Sequence, residues 1–135
     1  FSINGAGTTL GINGIRVMAV KKLFVENCVL SNFSDKGIDV NTTAPADIMI
    51  NNVTVHTAAV GISIGIGQAV ISNSVISGCG IAVLSKTGAK AHLSGNIVTN
   101  NATAFQGPGA ITSSKNNSVT GNVAQGVTPT VVSQQ

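Results

Sequence analysis

Val25-Glu26-Asn27-Cys28-Val29-Leu30 returns 25 residues later as Ile50-Asn51-Asn52-Val53-Thr54-Val55, and then as Ile71-Ser72-Asn73-Ser74-Val75-Ile76. Two further copies read Leu93-Ser94-Gly95-Asn96-Ile97-Val98 and Val119-Thr120-Gly121-Asn122-Val123-Ala124, so the anchors step by 25, 21, 22 and 26 residues. A second motif keeps the same beat: Gly14-Ile15-Arg16-Val17, Gly37-Ile38-Asp39-Val40, Gly61-Ile62-Ser63-Ile64, Gly80-Ile81-Ala82-Val83 and, more weakly, Ala104-Phe105-Gln106. Ile3-Asn4-Gly5, 22 residues before Val25, reads as the remnant of an earlier turn. Each unit alternates apolar and polar residues and bends at Asn or Gly. That is strand-and-turn chemistry, and no segment carries a helical period.

A unit this short cannot bury its apolar face alone, so it must stack on copies of itself. The composition agrees, with 43% hydrophobic but only 3% aromatic and 8% charged residues. Val and Ile outnumber Leu by 31 to five, which suits strands and argues against a leucine-rich horseshoe. The expected fold is all-β, a right-handed parallel β-helix of about five to six short coils. We expect one domain over residues 1–135. It divides into a partial N-terminal coil (1–13), regular coils (14–126) and a C-terminal tail (127–135) that could fold across the last coil.

The Gly-Ile-x-Val strand, the Val-x-Asn-Cys-x-Leu corner and the closing stretch Ile111 to Asn122 resemble the bacterial right-handed parallel β-helix repeat proteins, whose architecture is shared with pectate lyases. The resemblance covers nearly the whole chain. It implies the fold strongly and an activity weakly, because one architecture hosts many functions.

In such a solenoid equivalent residues of successive coils lie about 4.8 Å apart, so the repeat alignment predicts rows of touching side chains. Ile15, Ile38, Ile62, Ile81 and Phe105 are expected inside, as are Val25, Ile50, Ile71, Leu93 and Val119, with Leu30, Val55, Ile76 and Val98 on a third wall. Asn27, Asn52, Asn73, Gly95 and Gly121 are expected at a corner that needs left-handed backbone, their amides bonding along the stack. Arg16, Asp39, Ser63, Ala82 and Gln106 form an outward row with an Arg16 to Asp39 ion pair. Arg16, Asp39, Ser63 and Gln106 are its candidate ligand-binding residues, because β-helix enzymes commonly use this sheet to line a substrate groove.

Two other outward rows are apolar. One is Phe24, Met49 and Val70, followed by His92 and Ser118; the other is Val29, Thr54, Val75, Ile97 and Val123. Water does not favour such stripes, so Phe24, Val29, Met49, Val70, Val75, Ile97 and Val123 are the candidate interface of a homo-oligomer. The open backbone edges at the solenoid's ends are a second reason to expect a partner.

Other classes fare poorly. The net charge is +3, but the seven cations are scattered and there is no Trp or Tyr to stack on bases, so no nucleic-acid partner is expected. No apolar run reaches membrane-spanning length, so no membrane partner is expected either. The chain opens on Phe1 with no signal-peptide pattern, as a processed chain or an excised domain would. Catalysis on a polysaccharide would need clustered carboxylates with a base. The only acids are Glu26, Asp35, Asp39 and Asp47, of which only Asp35 and Asp39 could converge, and no catalytic residue is assigned. His56 and His92 fall on different rows, as do Cys28 and Cys79, so no metal, cofactor or disulfide is expected. The leading expectation is a non-catalytic module, structural or ligand-displaying, that self-associates through its walls or ends. A polysaccharide-binding or polysaccharide-degrading protein is the alternative.

Overall fold

The computed structural model describes residues 1–132, and every regular element in them is a β-strand. All strand pairing is parallel, in a six-stranded and a ten-stranded sheet. Each turn of the chain lays one strand on the first sheet and then runs along the second, which bends at an Asn or Gly corner into two walls. The long strands Lys22–Ser31 and Ala46–His56 cross that corner unbroken. Later coils split there, as in Gly67–Ser72 followed by Val75–Ser77. The result is the right-handed parallel β-helix expected from the repeat, with about six turns.

The rows are real. Val25, Ile50, Ile71 and Leu93 stand in register on the second wall, and Leu30, Val55, Ile76 and Val98 on the third. On the first wall Ile15, Ile38 and Ile62 are stacked. These side chains form one continuous core in which Leu30, Ile38, Ile50, Ile62, Ile71, Ile76 and Leu93 are fully buried. Each contributes roughly 1.5–3 kcal/mol before the entropy of ordering the chain is subtracted.

Two corners, rather than one, fix the winding. The first places Asn27, Asn52, Asn73 and Gly95 at φ of 55°, 53°, 49° and 67°. The second, between the third wall and the first, does the same with Asn32, Thr57, Gly78, Asn100 and Gly121. Asn52 Nδ2 donates to Asn27 Oδ1 at 2.7 Å, the predicted bond along the stack. Behind each corner the chain turns inward, and there the later coils build two partly buried amide ladders. Asn96 and Asn117 form one, and Asn101 and Asn122 the other, each joined by an Nδ2 to Oδ1 bond of 3.0 Å.

The twin corners explain where the sequence alignment slips. Gly121-Asn122 looks like Gly95-Asn96 but belongs to the second corner, so Val119 stacks on Val98 of the third wall and Ser113 takes the place below Leu93. In the fourth coil Ile81 pairs with Val60, and Val83 rather than Ile81 continues the Ile62 row. Three residues connect third wall to first in both coils, Thr57 to Ala59 and Gly78 to Gly80, so the left-handed corner sets the register and not the later glycine. At the N-terminus Ile3 stacks on Leu30, one wall further along than its spacing from Val25 suggested. The tail adds a strand, Thr130–Val131, to the second wall, while Pro129 and Val131 also rim an apolar mouth above Leu93, Phe105 and Val119. The last three residues, 133–135, lie outside the described residues.

Candidate functional site

On the first wall Arg16, Asp39, Ser63 and Gln106 do share one row, with Leu84 in the fourth coil where Ala82 was expected. Arg16 Nε lies 3.4 Å from Asp39 Oδ2, the predicted ion pair. The row is not a solvated face at its centre, however. The Asp39 side chain is 5% exposed and Ser63 is fully buried, whereas Arg16 keeps half its side chain in water. Asp39 Oδ1 and Ser63 Oγ have no hydrogen-bond partner among the described residues. The Ser63 hydroxyl thus faces no solvent, unlike the Arg16 guanidinium at the end of the row. A buried carboxylate is costly without a partner, and Arg16 at the rim supplies one. Asp35 is bonded to Lys36 at 2.8 Å, and Glu26 and Asp47 lie on the second wall. No two carboxylates face each other on this row.

The second wall presents a different surface. Phe24, Met49, Val70, His92 and Thr112 form a single outward row over five coils. Phe24, Met49 and Val70 are 64%, 40% and 38% exposed. They floor a shallow groove of about 280 Å³ edged by Lys22, Asp47 and Gln68. Two residues to one side runs a charged row of Lys22, Asp47, Gln68 and Lys90; two residues to the other runs Glu26, Asn51, Ser72 and Ser94. The apolar stripe thus has polar margins of unequal charge.

The third wall carries the second stripe in weaker form. Val29 and Ile97 are exposed, Thr54 and Val75 are half-buried, and the row ends at Ser118. Val123 does not belong to it. That residue sits in the segment after the second corner, where its amide bonds to Asn101 O, and it projects almost wholly into water.

Metal donors do not gather. The ring of His92 spans two hydroxyls of the next coil, with Nδ1 2.7 Å from Thr112 Oγ1 and Nε2 2.8 Å from Ser114 Oγ. His56 Nδ1 is 3.1 Å from Ser77 Oγ. Both cysteines are free, Cys28 half-buried and Cys79 buried among core residues. Burial raises the Cys79 thiol above its ordinary pKa, against weaker opposing bonds to backbone at Ala58 and Thr57. Met49 stands two coils from His92, about 10 Å by stacking distance. Among the described residues no three of His, Cys, Asp and Glu converge. The His92 contacts and the partly buried Asn ladders were the features that sequence reasoning missed. For the ladders a signal existed in the 21-residue spacings of Asn96 to Asn117 and Asn101 to Asn122.

Comparison with curated proteins and with solved structures returned no match for this chain. A family model described as NosD, periplasmic copper-binding protein, matches residues 1–131. That match spans all but the last four residues, and the rows, corners and coils within it make one β-helix. The chain belongs to the NosD family.

Proposed function

We propose that this domain is a non-catalytic β-helix module whose task is association, with its second wall as the docking face and a second copy of itself as the partner. One observation carries the reading: three large apolar side chains, Phe24, Met49 and Val70, stand exposed in one unbroken row between polar margins. The Val29 and Ile97 stripe on the adjoining wall extends the apolar surface round the corner. Burying the three second-wall side chains would return most of their transfer free energy, roughly 1 kcal/mol or more each.

The family's description names copper, and copper prefers clustered imidazole, thiolate and thioether ligands. This chain's donors do not fit such a site. Both His92 nitrogens are held by hydroxyls, and Cys79 is sealed in the core. Copper is therefore no part of the function read here. The polysaccharide reading is no better supported, because Arg16 and Gln106 stand at opposite ends of a row whose middle is closed.

Sedimentation equilibrium of the wild type and of Phe24→Asp/Val70→Asp tests the proposal. A self-associating wild type and a monomeric double variant with unchanged circular dichroism support it. A wild type that stays monomeric at high micromolar concentration removes it.

A further inference from the structure

Resting on the reading of the second wall as a self-docking face, we infer that docking is under redox control: oxidation of the Met49 thioether by a peroxide releases the docked copies. The observation behind it is the place of that thioether in the stripe.

Met49 is the middle one of the three apolar side chains, in register with Phe24 in the coil before it and Val70 in the coil after it. It is exposed, and it lies in the floor of the groove edged by Lys22, Asp47 and Gln68. Any face-to-face contact that covers the stripe therefore buries Met49, whichever way round the partner copy lies. Methionine suits such a surface, because its unbranched, polarisable side chain adapts to whatever is laid against it. Of the three groups it is also the one that a mild oxidant alters.

The step is an oxygen transfer. Hydrogen peroxide delivers one oxygen atom to Sδ of Met49, the sulfur gives up two electrons and becomes a sulfoxide, and the peroxide leaves as water. The side chain keeps its length but now carries a strong hydrogen-bond acceptor in place of an apolar sulfur. In the free chain water satisfies that oxygen. Along its own row the neighbours are Phe24 and Val70, which have no donor to offer, and Asp47, two residues back on the same strand, brings a carboxylate that only accepts. Burying an unpartnered acceptor opposes docking, and a pair of copies buries two of them. The expected loss of affinity is at least about tenfold.

The chain also carries its own control. Met18, the other methionine, stands just past the first-wall strand Gly11–Val17 and outside the stripe, so its oxidation leaves docking intact. Docking and oxidation oppose one another by mass action: association covers the thioether, and a sulfoxide formed in the free chain keeps that chain free.

Sedimentation equilibrium before and after hydrogen peroxide tests the switch. All chains carry Cys28→Ser, and two are compared: Met18→Leu, in which Met49 is the only methionine, and Met49→Leu, which keeps an apolar stripe without a thioether. Peptide mass spectrometry verifies the sulfoxide, and circular dichroism verifies the fold. Both chains are expected to associate before treatment. Afterwards Met18→Leu should associate at least about tenfold more weakly and recover on incubation with methionine sulfoxide reductases, while Met49→Leu is unmoved. Equal association of reduced and oxidised Met18→Leu overturns the switch and leaves self-association standing. Equal weakening of Met49→Leu also overturns it, since the effect then arises elsewhere. Reduced protein that is monomeric throughout overturns both the switch and the docking face.

Discussion

Asn101 sits at the second corner with 1% of its surface exposed, and its amide serves three backbone or side-chain groups at once. Oδ1 accepts from Cys79 N–H at 2.9 Å, while Nδ2 donates to Ile76 O and to Asn122 Oδ1, both at 3.0 Å. Asn101→Ala leaves the Cys79 N–H buried without a partner, a cost of about 1–3 kcal/mol, and removes two further bonds of about 0.5–1.5 kcal/mol each. The expected destabilisation is about 3–4 kcal/mol. For a domain of this length that is a fall in Tm of roughly 10 °C. Thermal unfolding followed by circular dichroism, with urea titration as a check, reads it directly. The comparison variant is Asn51→Ala, whose half-buried amide accepts from Ser72 and Asn73 on the outer side of the stack and should cost about 1 kcal/mol. Because a solenoid can unfold coil by coil, both variants are compared by the same probe and at the same protein concentration. Equal losses for Asn101→Ala and Asn51→Ala would refute the view that inward amides hold the corners together.

Asn52 stands at φ 53° and donates to Asn27, so Asn52→Ala and Asn52→Gly both forfeit that bond and only Asn52→Ala adds about 1–2 kcal/mol of backbone strain; thermal melts of the two decide it. The raised Cys79 thiol gives a pH dependence of definite sign: its contribution to stability is complete below the ordinary thiol value of 9.0 and declines above it, once the unfolded chain ionises first. Stability measured from pH 7 to 10 should fall at the upper end, and Cys79→Ala should flatten that fall. A thiol reagent at pH 8 should label half-buried Cys28 well before Cys79. Copper added at tens of micromolar should leave Tm within about 1 °C. A site filled at a hundredfold excess over its Kd would instead add about 2.7 kcal/mol.

The period was legible because each coil repeats the same two instructions, an apolar pair spaced by one residue and a left-handed corner. Those instructions placed Ile38 on Ile62, Ile50 on Ile71 and Arg16 beside Asp39. The register was less legible where the two corners share one chemistry. Gly95-Asn96 and Gly121-Asn122 differ only in which wall follows, and sequence similarity alone does not separate them. Burial of the first-wall row was also hidden. A Ser between two Ile in a strand reads as outward and wet, yet Ser63, flanked by Asp39 and Leu84 in its row, has no surface left. The Phe24, Met49 and Val70 stripe was visible because large apolar residues occupied alternate positions that the core did not need.

Hydroxyl-radical footprinting across a concentration series tests the docking face most directly, since the chain carries its own reference. Met49 lies at the centre of the stripe and is 40% exposed, whereas Met18 is 55% exposed and lies outside the stripe. Thioethers report access to the oxidant. As concentration rises, oxidation of Met49 relative to Met18 should fall severalfold, and labelling of Phe24 should fall with it. A Met49 to Met18 ratio that stays constant from dilute to concentrated protein would contradict the account.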